Sequence, residues 1–180
     1  MYQLLMPGKQ LVMQEKARLF LALWPDPEVR AAIAKYQDLW RWPPKAARVR
    51  SEKLHLTLHF VGDVERQRLP ELRQQLSVPF EPFRLSLGSP DLWPHGIAVL
   101  RPTHTPPNLM SLQAGLGAAL QHLDLPVEPR KFLPHITLSR RAGEATMSPQ
   151  PPLIAWDVDG YVLFESEYDA HRTYTILARY

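Results

Sequence analysis

The sequence predicts an α+β protein: two pseudo-symmetric lobes of antiparallel sheet, with flanking helices, around a central cleft. Three observations point there. The tetrapeptide His55-Leu56-Thr57-Leu58 recurs as His135-Ile136-Thr137-Leu138, eighty positions later. Each copy alternates polar and apolar residues at a period of two, the signature of a half-buried strand. A helical pattern precedes each copy, and the first half runs strand, helix, strand, helix, so the chain reads as a loose internal duplication. No flexible linker divides the halves, and residues 18–180 are therefore expected to form a single bilobal domain.

The elements follow in order. Arg18 to Trp24, apolar from Leu19 onward, reads as a first strand. Pro25-Asp26-Pro27 then opens a helix, with Asp26 placed to cap it. Val29, Ile33, Tyr36 and Trp40 recur at helical spacing over residues 28–41, and Trp42-Pro43-Pro44 stops the pattern. The strand carrying His55 ends in Val61-Gly62-Asp63-Val64, which reads as a turn, and Leu69, Leu72 and Leu76 stripe the next helix. Phe83–Leu87 and Ile97–Leu100 alternate as a pair of strands. Pro106-Pro107 opens a helix with Leu109, Leu112, Leu116 and Leu120 on one face, ending near Asp124. The strand carrying His135 comes next, then a proline-rich loop between Gly143 and Pro152. Two closing strands, roughly 157–166 and 172–179, finish the chain.

Bulk properties narrow the function classes. With 180 residues, 45% of them hydrophobic, the chain can bury one sizeable core or two small lobes. It has no cysteine, so a disulfide framework, a thiolate nucleophile and cysteine-ligated zinc are all excluded. The apolar run Leu19–Trp24 is far too short to cross a bilayer. Residues 1–17 lack the features of a secretory signal and read as an N-terminal extension, poorly ordered, on a cytoplasmic protein. The net charge of +3 and pI of 9.3 are compatible with an anionic substrate and equally with plain solubility.

On a strand, the period of two sets His55 and Thr57 on one face with Leu56 and Leu58 on the other, and likewise His135 and Thr137 against Ile136 and Leu138. Histidine has an unperturbed pKa of about 6.5 and trades protons near neutrality. Two imidazoles on opposite sides of a reacting centre can divide the work, one accepting the proton of an attacking water and one donating to the departing oxygen. Each transfer is worth about 10²–10⁴-fold. Threonine hydroxyls and imidazolium N–H groups then cover the non-bridging oxygens of a phosphate. No metal or other cofactor is called for.

The segments Glu52-Lys-Leu-His-Leu-Thr-Leu-His-Phe-Val-Gly-Asp-Val64 and Phe132-Leu-Pro-His-Ile-Thr-Leu-Ser-Arg140 resemble the motifs of the two-histidine phosphoesterase superfamily. Within it, the chain is most similar to the bacterial and archaeal RNA 2',3'-cyclic phosphodiesterases, also called 2'-5' RNA ligases. Arg18–Leu23 before the first helix and the closing Leu163-Phe-Glu-Ser166 and Thr173-Tyr-Thr175 extend the resemblance over residues 18–180. It implies hydrolysis of a terminal 2',3'-cyclic phosphate on RNA to a 2'-phosphomonoester, with reverse 2'-5' joining as the same step run backwards. His55 then matches the proton donor and His135 the proton acceptor. Thr57 and Thr137 match the phosphate-binding hydroxyls. Arg140 stands where relatives often carry a basic residue, although strict alternation turns it toward Ile136 and Leu138 and favours Arg141 for the cleft.

The remaining candidates are weighed against plain structural roles. His59 lies on the His55 face about 13 Å further along, as a groove-lining or solvent residue. His95, His104, His122 and His171 share no spacing and are expected at the surface, with no metal site among them. Phe60 is expected in the core and Trp93 in a turn, neither stacking on a base. The expected partner is an RNA end or a nucleotide bearing a cyclic phosphate, bound by a monomer, with no membrane. Rival readings are an RNA-end-binding module without turnover, or a related enzyme acting on another cyclic phosphate or a 2'-5' oligonucleotide.

Overall fold

The computed structural model describes residues 15–167 and 173–180, and its strands all join one antiparallel sheet. Across that sheet the order is β7 (Ile154–Val158), β4 (Phe83–Trp93), β5 (Ile97–Pro102), β6 (Ile136–Arg140), β3 (Leu56–Glu65), β1 (Lys16–Leu23), β8 (Val162–Ser166) and β9 (Tyr174–Arg179), with the short β2 (Ala47–Arg48) added to β6. The motif strands β3 and β6 are neighbours at the centre. From β6 the strands β5, β4 and β7 run outward; from β3 run β1, β8 and β9, giving the two lobes. The lobes meet through a single register pair, Leu56 with Ile136. Since no ladder continues beyond that pair, the sheet opens there into a cleft.

Three helices cover one face. Asp26 caps α1 (Pro27–Asp38) by accepting a hydrogen bond from the Val29 amide at 2.8 Å, and Pro27 occupies the first turn, where its missing N–H costs nothing. The helix stops before the expected residue 41, so Trp40 is buried from the connection rather than from the helix. Leu72 of α2 (Leu69–Gln75) and Leu109, Leu112, Leu116 and Leu120 of α3 (Pro107–His122) are buried as their spacing requires. These leucines share one core with Leu19, Leu21 and Leu23 of β1, Leu56 and Leu58 of β3, and Ile136 and Leu138 of β6. Each such side chain contributes about 1.5–3 kcal/mol through burial. The alternate residues of β1, Phe20 and Ala22, point the other way and form a small second cluster with Val162 and Phe164.

Two expectations are corrected. Val61–Val64 is not a turn but the continuation of β3, because Gly62 takes a φ of 84° and lets an irregular strand pass on, paired with Leu19. The closing segment 157–166 is two strands, not one: β7 lies at the edge of one lobe and β8 inside the other. Only residues 159–161 join them. A chain that short reaches about 14 Å, whereas six strand spacings across a flat sheet measure about 29 Å. The sheet must therefore curl until its two sides approach. Tyr161 anchors the crossing: its hydroxyl donates to the Leu76 carbonyl at 2.9 Å and accepts from the Val78 amide at 2.8 Å. Gly160 is obligatory beside it, since a Cβ there would collide with the Tyr180 carbonyl oxygen.

The extension expected over residues 1–17 lies outside the described residues as far as residue 14, and Lys16 and Ala17 already belong to β1. The last closing strand begins at Tyr174; Arg172 and His171 also lie outside the described residues.

Candidate active site

Both motif histidines stand one residue ahead of their strands, at the mouth of the cleft. Nδ1 of His55 donates to the Lys53 carbonyl at 2.7 Å, and Nδ1 of His135 donates to the Leu133 carbonyl at 2.7 Å. A carbonyl can only accept, so Nδ1 carries the proton in both rings, and Nε2 is the nitrogen left to exchange protons. Continuing the antiparallel register one residue either side of the Leu56–Ile136 pair sets His55 opposite Thr137 and Thr57 opposite His135. Residues directly opposite have Cβ atoms about 5 Å apart. Two His-Thr pairs therefore stand together on one face, all four residues half-buried, above the buried Leu56, Leu58, Ile136 and Leu138.

Each motif strand then breaks its own alternation at the same place. β1 pairs Ala22 with Thr57 but Leu21 with His59, passing over Leu58. β5 pairs Val99 with Thr137 but Ala98 with Ser139, passing over Leu138. One extra residue in a strand is a β-bulge, and it reverses the face of everything beyond it. Three sequence expectations change in consequence. His59 is buried, 4% exposed, its Nε2 donating to the Gln113 carbonyl of α3 at 2.8 Å, and does not line a groove. Phe60, expected in the core, is 67% exposed. Arg140 turns onto the His-Thr face, and its charge bears on both histidines. The motifs are thus alike in burial residue by residue, with Phe60 in one lobe holding the position of Arg140 in the other.

The bulge on β6 has a dedicated support that sequence reading missed. Gln37 of α1 is 2% exposed, and its Nε2 donates to the carbonyls of Leu138 at 2.6 Å and Val49 at 3.0 Å. The signal was present: Gln37 falls four residues after Ile33, a polar side chain on the apolar stripe of a helix.

Aromatic rings wall both imidazoles. Between ring centroids, His55 lies 5.2 Å from Phe20, 5.6 Å from Tyr174 at a near-perpendicular angle, and 6.1 Å from Trp24, whose plane is within 22° of its own. His135 lies 4.5 Å from Trp93. Trp93 closes β4 rather than sitting in a turn, and its indole N–H donates to Asp91 at 2.9 Å. Burial in this apolar setting pushes both histidines below the ordinary value of 6.5, against the carbonyl hydrogen bonds that favour the cation. Positive charge adds to the depression, from His135 and Arg140 at His55, and from Arg140 and Arg101 at His135. His95, His104 and His122 are exposed as expected. Among the described residues, no three His, Asp or Glu side chains cluster as a metal site.

Comparison with known proteins gives a consistent result. The family model of the 2'-5' RNA ligase superfamily matches residues 25–167. The RNA 2',3'-cyclic phosphodiesterase of Escherichia coli is 33% identical over 93% of this chain and 98% of its own length. That of Thermus thermophilus is 32% identical over 91% and 89%. In structure, Escherichia coli LigT complexed with 3'-AMP superposes with a TM-score of 0.83 at 30% identity, covering 92% of this chain and 98% of that one.

Proposed function

The chain belongs to the 2'-5' RNA ligase superfamily, and from that premise we infer that it is an RNA 2',3'-cyclic phosphodiesterase, hydrolysing a terminal cyclic phosphate to a 2'-phosphomonoester. The observation that carries the reading is the matched anchoring of His55 and His135. Each Nδ1 is tied to a backbone carbonyl, leaving two Nε2 atoms as the exchangeable sites on either side of one seam.

In this reading the phosphate sits over that seam. Thr57 and Thr137 donate hydroxyl hydrogen bonds to its non-bridging oxygens, and Arg140 adds a charge-assisted contact. Neutral His135 takes a proton from water, whose oxygen attacks phosphorus in line. The bond from phosphorus to the 3'-oxygen breaks, and protonated His55 delivers a proton to that oxygen, leaving the phosphate on the 2'-oxygen. Burial and two cationic neighbours lower each histidine, so the division into His55 donor and His135 acceptor rests on the family resemblance. Run backwards with a 5'-hydroxyl end in place of water, the same step forms a 2'-5' linkage, and the two histidines exchange roles. Phe60, exposed on the face that carries the phosphate-binding groups, offers a ring on which the terminal base can stack. One chain supplies all of these groups, and the reading takes the enzyme to act as a monomer in the cytoplasm.

The test uses purified protein with chelator and an oligonucleotide ending in a 2',3'-cyclic phosphate. The expected product is a 2'-phosphomonoester, identified by mass and phosphatase sensitivity. His55→Ala and His135→Ala each reduce turnover by at least about 10²-fold. Full turnover in either variant would remove that histidine from the mechanism. Binding of the RNA end with no turnover in the parent protein would leave a recognition module instead.

A further inference from the structure

The two histidines share a pattern of neighbours that differs in one respect. Each has a tryptophan beside it, Trp24 at His55 and Trp93 at His135, and each tryptophan has an arginine for company. On the His135 side, Arg101 is paired with Asp91 at 3.4 Å, and the same carboxylate holds the Trp93 indole, so that charge is balanced where it stands. On the His55 side, the Arg30 guanidinium lies over the Trp24 ring, 5.2 Å from its centroid. Among the described residues, Arg30 has no carboxylate partner and no side-chain hydrogen bond. It is half-buried on the first turns of α1, held by the ring instead of by a counter-ion.

We propose that Arg30, seated on Trp24, docks a backbone phosphate of the RNA upstream of the cyclic end, so that the enzyme selects RNA ends over cyclic mononucleotides. The proposal rests on the phosphodiesterase reading and adds the recognition of the chain behind the reacting nucleotide. The geometry fits. Trp24 stands 6.1 Å from His55 with its plane within 22° of the imidazole's, and the Arg30 guanidinium lies 5.2 Å over the same Trp24 ring, so Arg30 is no further from His55 than the sum of those two distances. Phosphates along a stacked single strand advance by about 3.4 Å of rise each, and by more when extended. A strand leaving the reacting phosphate on this side therefore brings another phosphate level with Trp24 in about two nucleotides, and within reach of Arg30 in about two when extended. An unneutralised guanidinium, weakly hydrated and set over an aromatic face, is suited to receive it. A cyclic mononucleotide has no phosphate to offer there.

The experiment compares cytidine 2',3'-cyclic monophosphate with a trinucleotide ending in the same cyclic nucleotide, for the parent, Arg30→Ala and Arg30→Lys, at 50 and 200 mM salt, which are about the limits over which counterion release is commonly read. Arg30→Ala is expected to lower kcat/KM for the trinucleotide by about three- to fivefold, the range of an exposed ion pair. It should also flatten the salt dependence by about 0.7 in log–log slope, the share of one single-strand phosphate. The loss should be confined to the trinucleotide, and Arg30→Lys should recover most of it. Equal losses on both substrates would make Arg30 a prop for Trp24 and overturn the proposal, as would no loss on either. A parent protein that turns over neither substrate overturns the phosphodiesterase reading, and the proposal with it.

Discussion

His55, His135 and His59 each have one ring nitrogen committed to a backbone carbonyl, and which nitrogen is committed separates their roles. In His55 and His135 it is Nδ1, leaving Nε2 at the cleft; in His59 it is Nε2, tied to α3 on the helix side. Burial lowers the proton affinity of all three. The proposed reaction needs one cleft histidine charged and the other neutral, so kcat/KM, which reports the free enzyme, should be bell-shaped with its alkaline limb below the usual imidazole range. The charge of Arg140 depresses both histidines. Removing it in Arg140→Gln should raise both and carry the whole bell to higher pH while lowering its height. A pH–rate profile of the variant checks the sign: a bell displaced toward acid would contradict this electrostatic account, and a flat parent profile between pH 5 and 9, the span histidine covers, would contradict the pair itself.

At the level of elements, the paired bulges matter more than the strands' alternation. A uniform period of two leaves Phe60 and Arg140 on the helix face; the extra residue at Leu58 and at Leu138 brings them round to the site. The second bulge is held from α1, because the Leu138 carbonyl accepts from both the Val49 amide and the Gln37 side chain. Gln37→Leu removes one donor, leaves the Leu138 carbonyl one hydrogen bond short and Arg48 with Asp38 but without the Gln37 acceptor, and should cost about 1–3 kcal/mol. The measurement is a denaturation midpoint at unchanged slope. Turnover should fall alongside it, since the same bond sets where Arg140 emerges. A variant as stable and as active as the parent would show that β6 keeps its bulge without help from α1.

Over the whole molecule, one apolar core runs under both lobes, and the three-residue crossing at 159–161 binds the far strands together. The lobes touch along the central seam at one register pair, but they share the apolar side chains of all three helices. We therefore expect a single cooperative unfolding transition, the behaviour of one small folding unit. Trp24 reports from the β1 side and Trp93 from the β4 side. Fluorescence of Trp24→Phe and Trp93→Phe variants should give coincident transition shapes; two separated steps would mean lobes that fold independently.

The chemistry was legible in the chain because it is local. A His-x-Thr strand read twice places donors and acceptors through the period of the backbone, and the leucine spacings of α2 and α3 mark their buried faces without reference to any neighbour. The caps and breaks of α1 were legible for the same reason, since Asp26 and the prolines act on residues within one turn of themselves. Phe60, His59 and Arg140 were not, because each depends on a bulge that exists only where a strand pairs with its neighbour out of step; Gln37 was marked by its place on the apolar stripe of α1, but the carbonyl it serves lies at such a bulge. The split of 157–166 into two strands was hidden as well, since it depends on a sheet curled until its sides approach. Period and propensity act along the chain, whereas pairing register and curvature are set between segments distant in sequence, and it is there that an extra residue or a three-residue crossing takes its meaning.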